Sequence, residues 1–361
     1  MTEDGRKGEN PMKMSPKERF LATLAFEPVD RNVVYPLDTT AWVLKEENLS
    51  LDQLYALDDA GAEIVVKQHD RLRADVICAG NAIWQGWTHA FGCFADFSVP
   101  GAAVTVKEGI KSAEEIPDLT NEQIRDRFLQ DKYVTAVLKQ IREIKKISGE
   151  EKVMYTDLSG PLTAAGTLMG PAKVMKLIAK KKPELNDLLD FSVRCIAVLT
   201  DLYYEAGTDF VQSCDPVGSG DMISLQMYKD IVVPAFNKYK ENMENSRPFF
   251  IHICGKAGER NETVRQLGAS AFSVDWMVNM KEMLETSAHQ MVMIGNISPI
   301  DQLLMGTQDS VYEKADELLE YAYQNKGGLL LATGCDLPAG SPIENVHAMV
   351  KAAEDFAAKH N

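Results

Sequence analysis

Two apolar runs decide how this chain reads: Pro248-Phe-Phe-Ile-His-Ile-Cys-Gly255 and Gly327-Gly-Leu-Leu-Leu-Ala-Thr-Gly-Cys335. Each is short, almost unbroken in hydrophobicity and bounded by glycine or proline, the pattern of a strand covered on both faces in a parallel sheet. Along a strand, residues i and i+2 share a face, so the His252 imidazole and the Cys254 thiol project side by side. Cys335 closes the second run. One His and two Cys leave the fourth corner of a tetrahedral zinc ion open, which separates a catalytic zinc from a closed structural one. The competing reading is an ordinary core, because free cysteine packs as a small hydrophobe and neutral histidines are often buried. Spacing alone does not bring the two runs together.

Working outward, comparable runs recur at Asn32 to Pro36, Glu63 to Lys67, Lys152 to Thr156, Asp209 to Ser213, Ala271 to Val274 and Met291 to Ile297. Together with Phe249 to Cys254 and Gly328 to Ala332 they alternate with amphipathic stretches long enough for helices. The alternation predicts an α/β fold, a (β/α)8 TIM-type barrel, with residues 15–361 as a single catalytic domain; a doubly wound open sheet is the alternative. His252, Cys254, Asp215 and Cys335 then fall at the C-terminal strand ends, where barrel enzymes carry their chemistry. Ser15-Pro-Lys-Glu18 and Ser341-Pro-Ile-Glu344 read as capping boxes that bracket the folded region. Residues 1–14 read as a polar, disordered N-terminal extension. Ala74 to Lys111, with Trp84, Trp87, His89, Phe91, Phe94 and Phe97, reads as an irregular insertion over the barrel mouth that either packs in the core or meets substrate.

The chain has 361 residues, 45% of them hydrophobic, and a formal net charge of −15. That charge argues against a nucleic-acid partner and against an anionic membrane surface. No apolar stretch approaches the roughly 18 residues of a membrane span. Six cysteines (78, 93, 195, 214, 254, 335) lack regular spacing, and no secretory signal stands before them, so a cytoplasmic location and free thiols are expected.

At these residues the chain resembles a known family. Ile251-His-Ile-Cys-Gly255, with Ala332-Thr-Gly-Cys335 and Ser341-Pro-Ile-Glu-Asn345, is similar to the zinc motif of the methylcobamide:coenzyme M methyltransferases, within the uroporphyrinogen decarboxylase superfamily. Further matching segments are Glu27-Pro-Val-Asp-Arg31, Gly160-Pro-Leu-Thr163, Ala206-Gly-Thr-Asp209, Asp215-Pro-Val-Gly-Ser219 and Gly295-Asn-Ile-Ser-Pro299. The resemblance implies a barrel with zinc at its mouth, held by His252, Cys254 and Cys335. It also implies methyl transfer between a small molecule and the cobalt of a methylcobamide (cobalamin-type corrinoid). No Asp-x-His-x-x-Gly segment surrounds any of the six histidines, so the corrinoid is expected on a separate partner protein.

Two departures shape the reading. Uroporphyrinogen decarboxylases carry an Arg-Gln-Ala-Gly-Arg segment for a polycarboxylate substrate, whereas Val34-Tyr-Pro-Leu-Asp-Thr-Thr-Ala-Trp42 contains no arginine. Coenzyme M relatives carry an acidic residue before Gly-Pro where Ser159 stands here. The expected activity is therefore a zinc-dependent, corrinoid-linked methyltransferase. A methoxylated aromatic is the first candidate donor (O-demethylation), favoured by the aromatic run from Trp84 to Phe97. A coenzyme M type thiol acceptor is the alternative, and a decarboxylase-like or non-catalytic binding protein is a third class. Asp215 is expected behind the ligating histidine, or else as a turn cap. Asp275 is a further candidate at a strand end, and Cys214 reads as a buried thiol.

Overall fold

The computed structural model describes residues 13–80, 86–99, 105–244, 247–287 and 289–360. Eight parallel strands make the frame: β1 (Val34–Tyr35), β2 (Val76–Cys78), β5 (Val153–Ser159), β6 (Phe210–Cys214), β7 (Phe250–Ile253), β8 (Ala271–Val274), β9 (Val292–Ile297) and β10 (Leu329–Thr333). A separate antiparallel pair, β3 (Phe94–Asp96) and β4 (Thr105–Lys107), lies between β2 and β5 in the chain. The eight hydrogen-bond in the order β1-β10-β9-β8-β7-β6-β5-β2. The Asp75 amide donates to the Val34 carbonyl at 3.0 Å, and the Val34 amide to the Asp75 carboxylate at 2.8 Å, so β1 and β2 meet at the seam. This is the expected (β/α)8 barrel.

The seam explains one of the family-resembling runs as scaffold. Asp75, 2% exposed, receives Arg19 and Arg31, each at 2.7 Å, and Asp30 takes a second bond from Arg19 at 2.6 Å. Asp30 and Arg31 belong to the Glu27–Arg31 segment. Removing one partner of such a buried pair strands the other charge, so the network fixes the N-terminal end of the barrel. Phe20 plugs that end, stacked on Phe210 and Phe250 at 5.1 and 6.1 Å.

Seven of the eight expected strand runs overlap barrel strands; Glu63 to Lys67 does not. It lies in the helix Asp59–Leu72, whose buried residues include Ala62, Val65, Val66, His69 and Leu72 at helical spacing. A five-residue run with three β-branched residues cannot distinguish the two periods by itself, and packing chose the helix. The missing strand is Val76–Cys78, within the stretch read as irregular. That stretch also differs in its aromatics. Trp87, Phe91 and Phe97 are buried, with Trp87 edge-on to Phe91 and Phe128 and Phe97 against Tyr133. They serve the packing of the surrounding helices. Trp84 lies outside the described residues.

Residues 1–12 of the expected tail also lie outside the described residues, but Met14 is anchored: its amide donates to Asp30 at 3.0 Å and its carbonyl accepts from Arg19 at 2.8 Å. The first capping box forms, with Glu18 N to Ser15 Oγ at 3.2 Å and Ser15 N to Glu18 Oε2 at 2.8 Å. The second does not. The last helix runs Ile343–His360, and the buried Ser341 hydroxyl has no hydrogen-bond partner. Among the described residues no helix is long and apolar enough to cross a membrane.

Candidate metal centre

Strand periodicity builds the site. On five barrel strands an inward apolar residue is followed two positions later by a polar one: Tyr155 then Asp157, Phe210 then Gln212, Phe250 then His252, Ala271 then Ser273, Ile294 then Asn296. The first of each pair belongs to the interior apolar cluster. The second makes a polar layer at the C-terminal end of the barrel, the end that barrel enzymes use.

His252, on β7, is 5% exposed. Its Nδ1 lies 2.8 Å from the hydroxyl of Ser273 on β8, which leaves Nε2 2.9 Å from Cys254 Sγ. Cys335, beyond the end of β10, brings its Sγ to 3.4 Å from that of Cys254. The three ligand atoms all lie within 4.8 Å of one another, and the imidazole is buried while both thiols are half-buried. Strands β8 and β9 stand between β7 and β10, so only closure of the curved sheet makes residues 81 positions apart converge.

Local backbone holds both thiols in place. Gly255, at φ +72°, turns the chain immediately after Cys254, and its amide donates to Asp275 Oδ2 at 2.9 Å. A Cβ at Gly255 would come within 2.5 Å of Asp221. Asp275 also accepts from the Met277 amide at 3.0 Å, so this carboxylate fixes the loops after β7 and β8. Before Cys335, a Cβ on Gly334 would lie 2.4 Å from the Trp276 amide nitrogen, a close approach that only glycine allows.

The electrostatics suit a site that exchanges protons for a cation. Burial by itself would lower the His252 pKa, but the Cys335 sulfur, with Asp336 and Asp157 behind it, raises it above the usual histidine value. The hydrogen bond to Cys254, together with burial, pushes the Cys335 thiol up. Desolvation, reinforced by Asp38, raises the Asp157 carboxyl to about 7. Asp336 is open to solvent at the mouth yet ringed by protein groups; desolvation and then Asp38 hold its carboxyl well above the usual range.

Two soft thiols and an imidazole whose outer nitrogen is already engaged are the donor set of an open zinc site. Among the described residues no fourth His, Cys, Asp or Glu joins the convergent set. His252, Cys254 and Cys335 could hold such an ion.

The structure places Asp215 away from this set. Its amide donates to the His252 carbonyl at 2.9 Å, but its carboxylate accepts from Thr163 N and Oγ1 at 2.8 and 2.6 Å, at the start of the helix Pro161–Met169. A helix N-terminus leaves amides unpaired and attracts negative charge, which draws the side chain there. The position expected for Asp215 behind the histidine belongs to Ser273. Cys214 is a buried thiol 3.3 Å from Asp157. Ser159 ends β5, fully buried. Asp38, Asp157, Gln212, Ser273 and Asp336 escaped the sequence reading; inward strand spacing marks Asp157, Gln212 and Ser273, whereas nothing local marks Asp38 or Asp336.

A family model, "Uroporphyrinogen decarboxylase (URO-D)", matches residues 15–356. The chain belongs to the uroporphyrinogen decarboxylase family. One relative is the methylcobamide:CoM methyltransferase MtaA of Methanosarcina barkeri, 25% identical over 355 residues, covering 94% of this chain and 98% of the relative. Another is a uroporphyrinogen decarboxylase of Prochlorococcus marinus, 27% identical over 260 residues, covering 69% and 70%. Among solved structures, a methyltransferase from Methanosarcina mazei superposes with a TM-score of 0.83 at 24% identity, covering 95% of this chain and 99% of that one, a likeness of fold. The family therefore contains both chemistries, and the resemblance to its methyltransferase branch extends over nearly the whole chain.

Proposed function

We propose that this family member is a zinc-dependent methyltransferase that moves a methyl group between a small molecule and the cobalt of a separate corrinoid protein. The convergence of His252 Nε2, Cys254 Sγ and Cys335 Sγ within 4.8 Å, with the thiols half-buried, carries the reading. Relatives named methylcobamide:CoM methyltransferases support it. Bound at these three residues, zinc would supply a Lewis acid that lowers the pKa of a thiol or polarises an ether oxygen. The chain's own groups do the rest. Ser273 orients His252, Asp275 pins the Cys254 loop, and Gly334 lets the Cys335 segment approach. The apolar layer beneath the polar one keeps water out of the barrel's lower half.

The mouth also suits a protein partner. Met222 and Met227 after β6, Trp276 and Met277 after β8, and Ile300 and Met305 after β9 are all large apolar residues left exposed. Exposed apolar side chains in the segments that follow three strand ends favour docking, here of the protein that carries the corrinoid. Between the two substrate classes, the relatives' names favour a thiol acceptor. Trp87, Phe91 and Phe97 are spent on the core and lend no support to an aromatic ether. The test is spectroscopic: with a reduced corrinoid protein, the cobalt spectrum should shift only when a methyl donor or acceptor and zinc-loaded protein are both present. No shift with thiols, ethers and methylated amines across several corrinoid proteins would favour a non-catalytic binding protein.

A further inference from the structure

The two thiols at the barrel mouth have a second partner open to them, which is each other. Cys254 Sγ and Cys335 Sγ stand 3.4 Å apart. An S–S bond is about 2.05 Å long. Two thiolates on one tetrahedral zinc lie roughly 3.8 Å apart, from Zn–S bonds of about 2.3 Å. The observed spacing falls between these limits, so small side-chain rotations reach either state. The backbones stay fixed meanwhile. Gly255 N and Lys256 N donate to Asp275 and Asp221 at 2.9 and 3.0 Å, and Gly334 N donates to the Ile297 carbonyl at 2.8 Å.

This pair is also the one that solvent reaches. Cys78, Cys93, Cys195 and Cys214 are buried, whereas Cys254 and Cys335 are half-buried. Two of the buried thiols are engaged elsewhere: Cys214 Sγ lies 3.3 Å from Asp157, and Cys93 Sγ accepts from the Gly109 amide at 3.2 Å. Access is what selects a thiol for oxidation, and a neighbouring thiol is what diverts the first oxidation product into a disulfide. A small oxidant entering the mouth therefore meets two adjacent sulfurs before any other.

We propose that Cys254 and Cys335 form a reversible disulfide whenever no metal holds them, so that the S–S bond and a bound metal exclude one another. The exclusion rests on the proposed reading of the triad as a zinc centre; the bond itself does not. The oxidant is a peroxide. One sulfur attacks a peroxide oxygen, the O–O bond breaks and a water leaves; the second sulfur then displaces a second water from the sulfenic acid. Two thiols and one hydrogen peroxide thus give one disulfide and two waters, with sulfur oxidised and oxygen reduced. A dithiol restores both thiols by exchange. Oxidation removes two of the three donors, and His252 by itself is no zinc site.

The test uses reduced, chelator-stripped full-length protein treated with equimolar hydrogen peroxide at neutral pH, then alkylated in denaturant. The protein should lose two of its six reactive thiols and regain them with a dithiol. Mass spectrometry of the unreduced digest should show one crosslinked pair of peptides, carrying Cys254 and Cys335. Zinc added beforehand should slow the loss at least about tenfold, because coordinated sulfurs must first be released. Conversely, the oxidised protein should take no zinc from a chromophoric chelator until it is reduced. Cys254→Ser should abolish the crosslink and leave Cys335 as a sulfenic acid that dimedone traps, and Cys214→Ser should keep the crosslink. The wild-type digest assigns the pair even where a variant folds poorly. A crosslink through Cys214, sulfinic acid at either residue without a crosslink, or a bond that forms equally fast in zinc-loaded protein overturns the proposal. Failure of the reduced protein to take up zinc defeats the metal reading alone, since the crosslink is measured without metal.

Discussion

Ser273→Ala removes one oxygen and isolates how His252, the proposed zinc ligand, is held. The hydroxyl lies 2.8 Å from His252 Nδ1, Ser273 is fully buried and His252 is 5% exposed, so no water replaces it easily. Leaving a buried ring nitrogen without its partner costs about 1–3 kcal/mol. Part of that cost is common to the metal-free and metal-bound states. The remainder falls on the bound state, where Nδ1 must carry the proton and the ring must keep its angle so that Nε2 faces the thiols. Outer partners of ligating histidines are typically worth about 10–100-fold in metal affinity, equivalent to about 1.4–2.7 kcal/mol. Zinc competition against a chromophoric chelator, near neutral pH and on protein of verified fold, measures this directly. Ser273→Ala should weaken zinc by that factor, and Ser273→Thr, which keeps Oγ on a β-branched residue suited to a strand, should recover most of it. Wild-type affinity in Ser273→Ala, alongside loss of zinc in His252→Ala, would refute the assigned role.

Three further outcomes are expected. Cys254→Ala or Cys335→Ala should reduce bound zinc well below one ion per chain, measured by elemental analysis, since two protein ligands rarely retain the ion in dilute protein. The Asp215 carboxyl is raised from 3.8 to about 6 by burial, against the opposing bonds from Thr163. A folded-state value above the unfolded one means that the charge costs stability, fully above pH 6 and not at all below about pH 4. Asp215→Asn should therefore gain up to about 3 kcal/mol in urea denaturation at pH 8, and the gain should vanish towards pH 4; a gain independent of pH would contradict the assignment. Finally, the protein should form no coproporphyrinogen from uroporphyrinogen above a heat-killed control, because Val34 to Trp42 offers no arginine to a polycarboxylate.

Much of the site could be read from short patterns because the strand period is local. His252 and Cys254 share a face by spacing alone, and the alternation of apolar runs with amphipathic stretches leads to the barrel. Spacing could not decide the second strand. Glu63 to Lys67 has strand composition but a helical burial pattern, and Val76–Cys78 is too short to stand out until its neighbour β5 pairs with it. Trp87, Phe91 and Phe97 looked available for a ligand because composition carries no information on what covers a ring. Asp215 looked like a partner of the histidine because it ends a strand just before Pro216, yet the unpaired amides of the next helix compete for the same carboxylate and win.

By itself, then, the order of residues determined seven of the eight barrel strands, the candidate ligand types and the lack of an arginine between Val34 and Trp42, all properties of local period and composition. Tertiary structure alone decided that Cys335 reaches Cys254 across two intervening strands and that Ser273 rather than Asp215 stands against the His252 ring. The physical reason is that these contacts join residues distant in sequence. Barrel closure selects them, through hydrogen-bond register and the exclusion of overlapping atoms, and neither leaves a periodic trace along the chain.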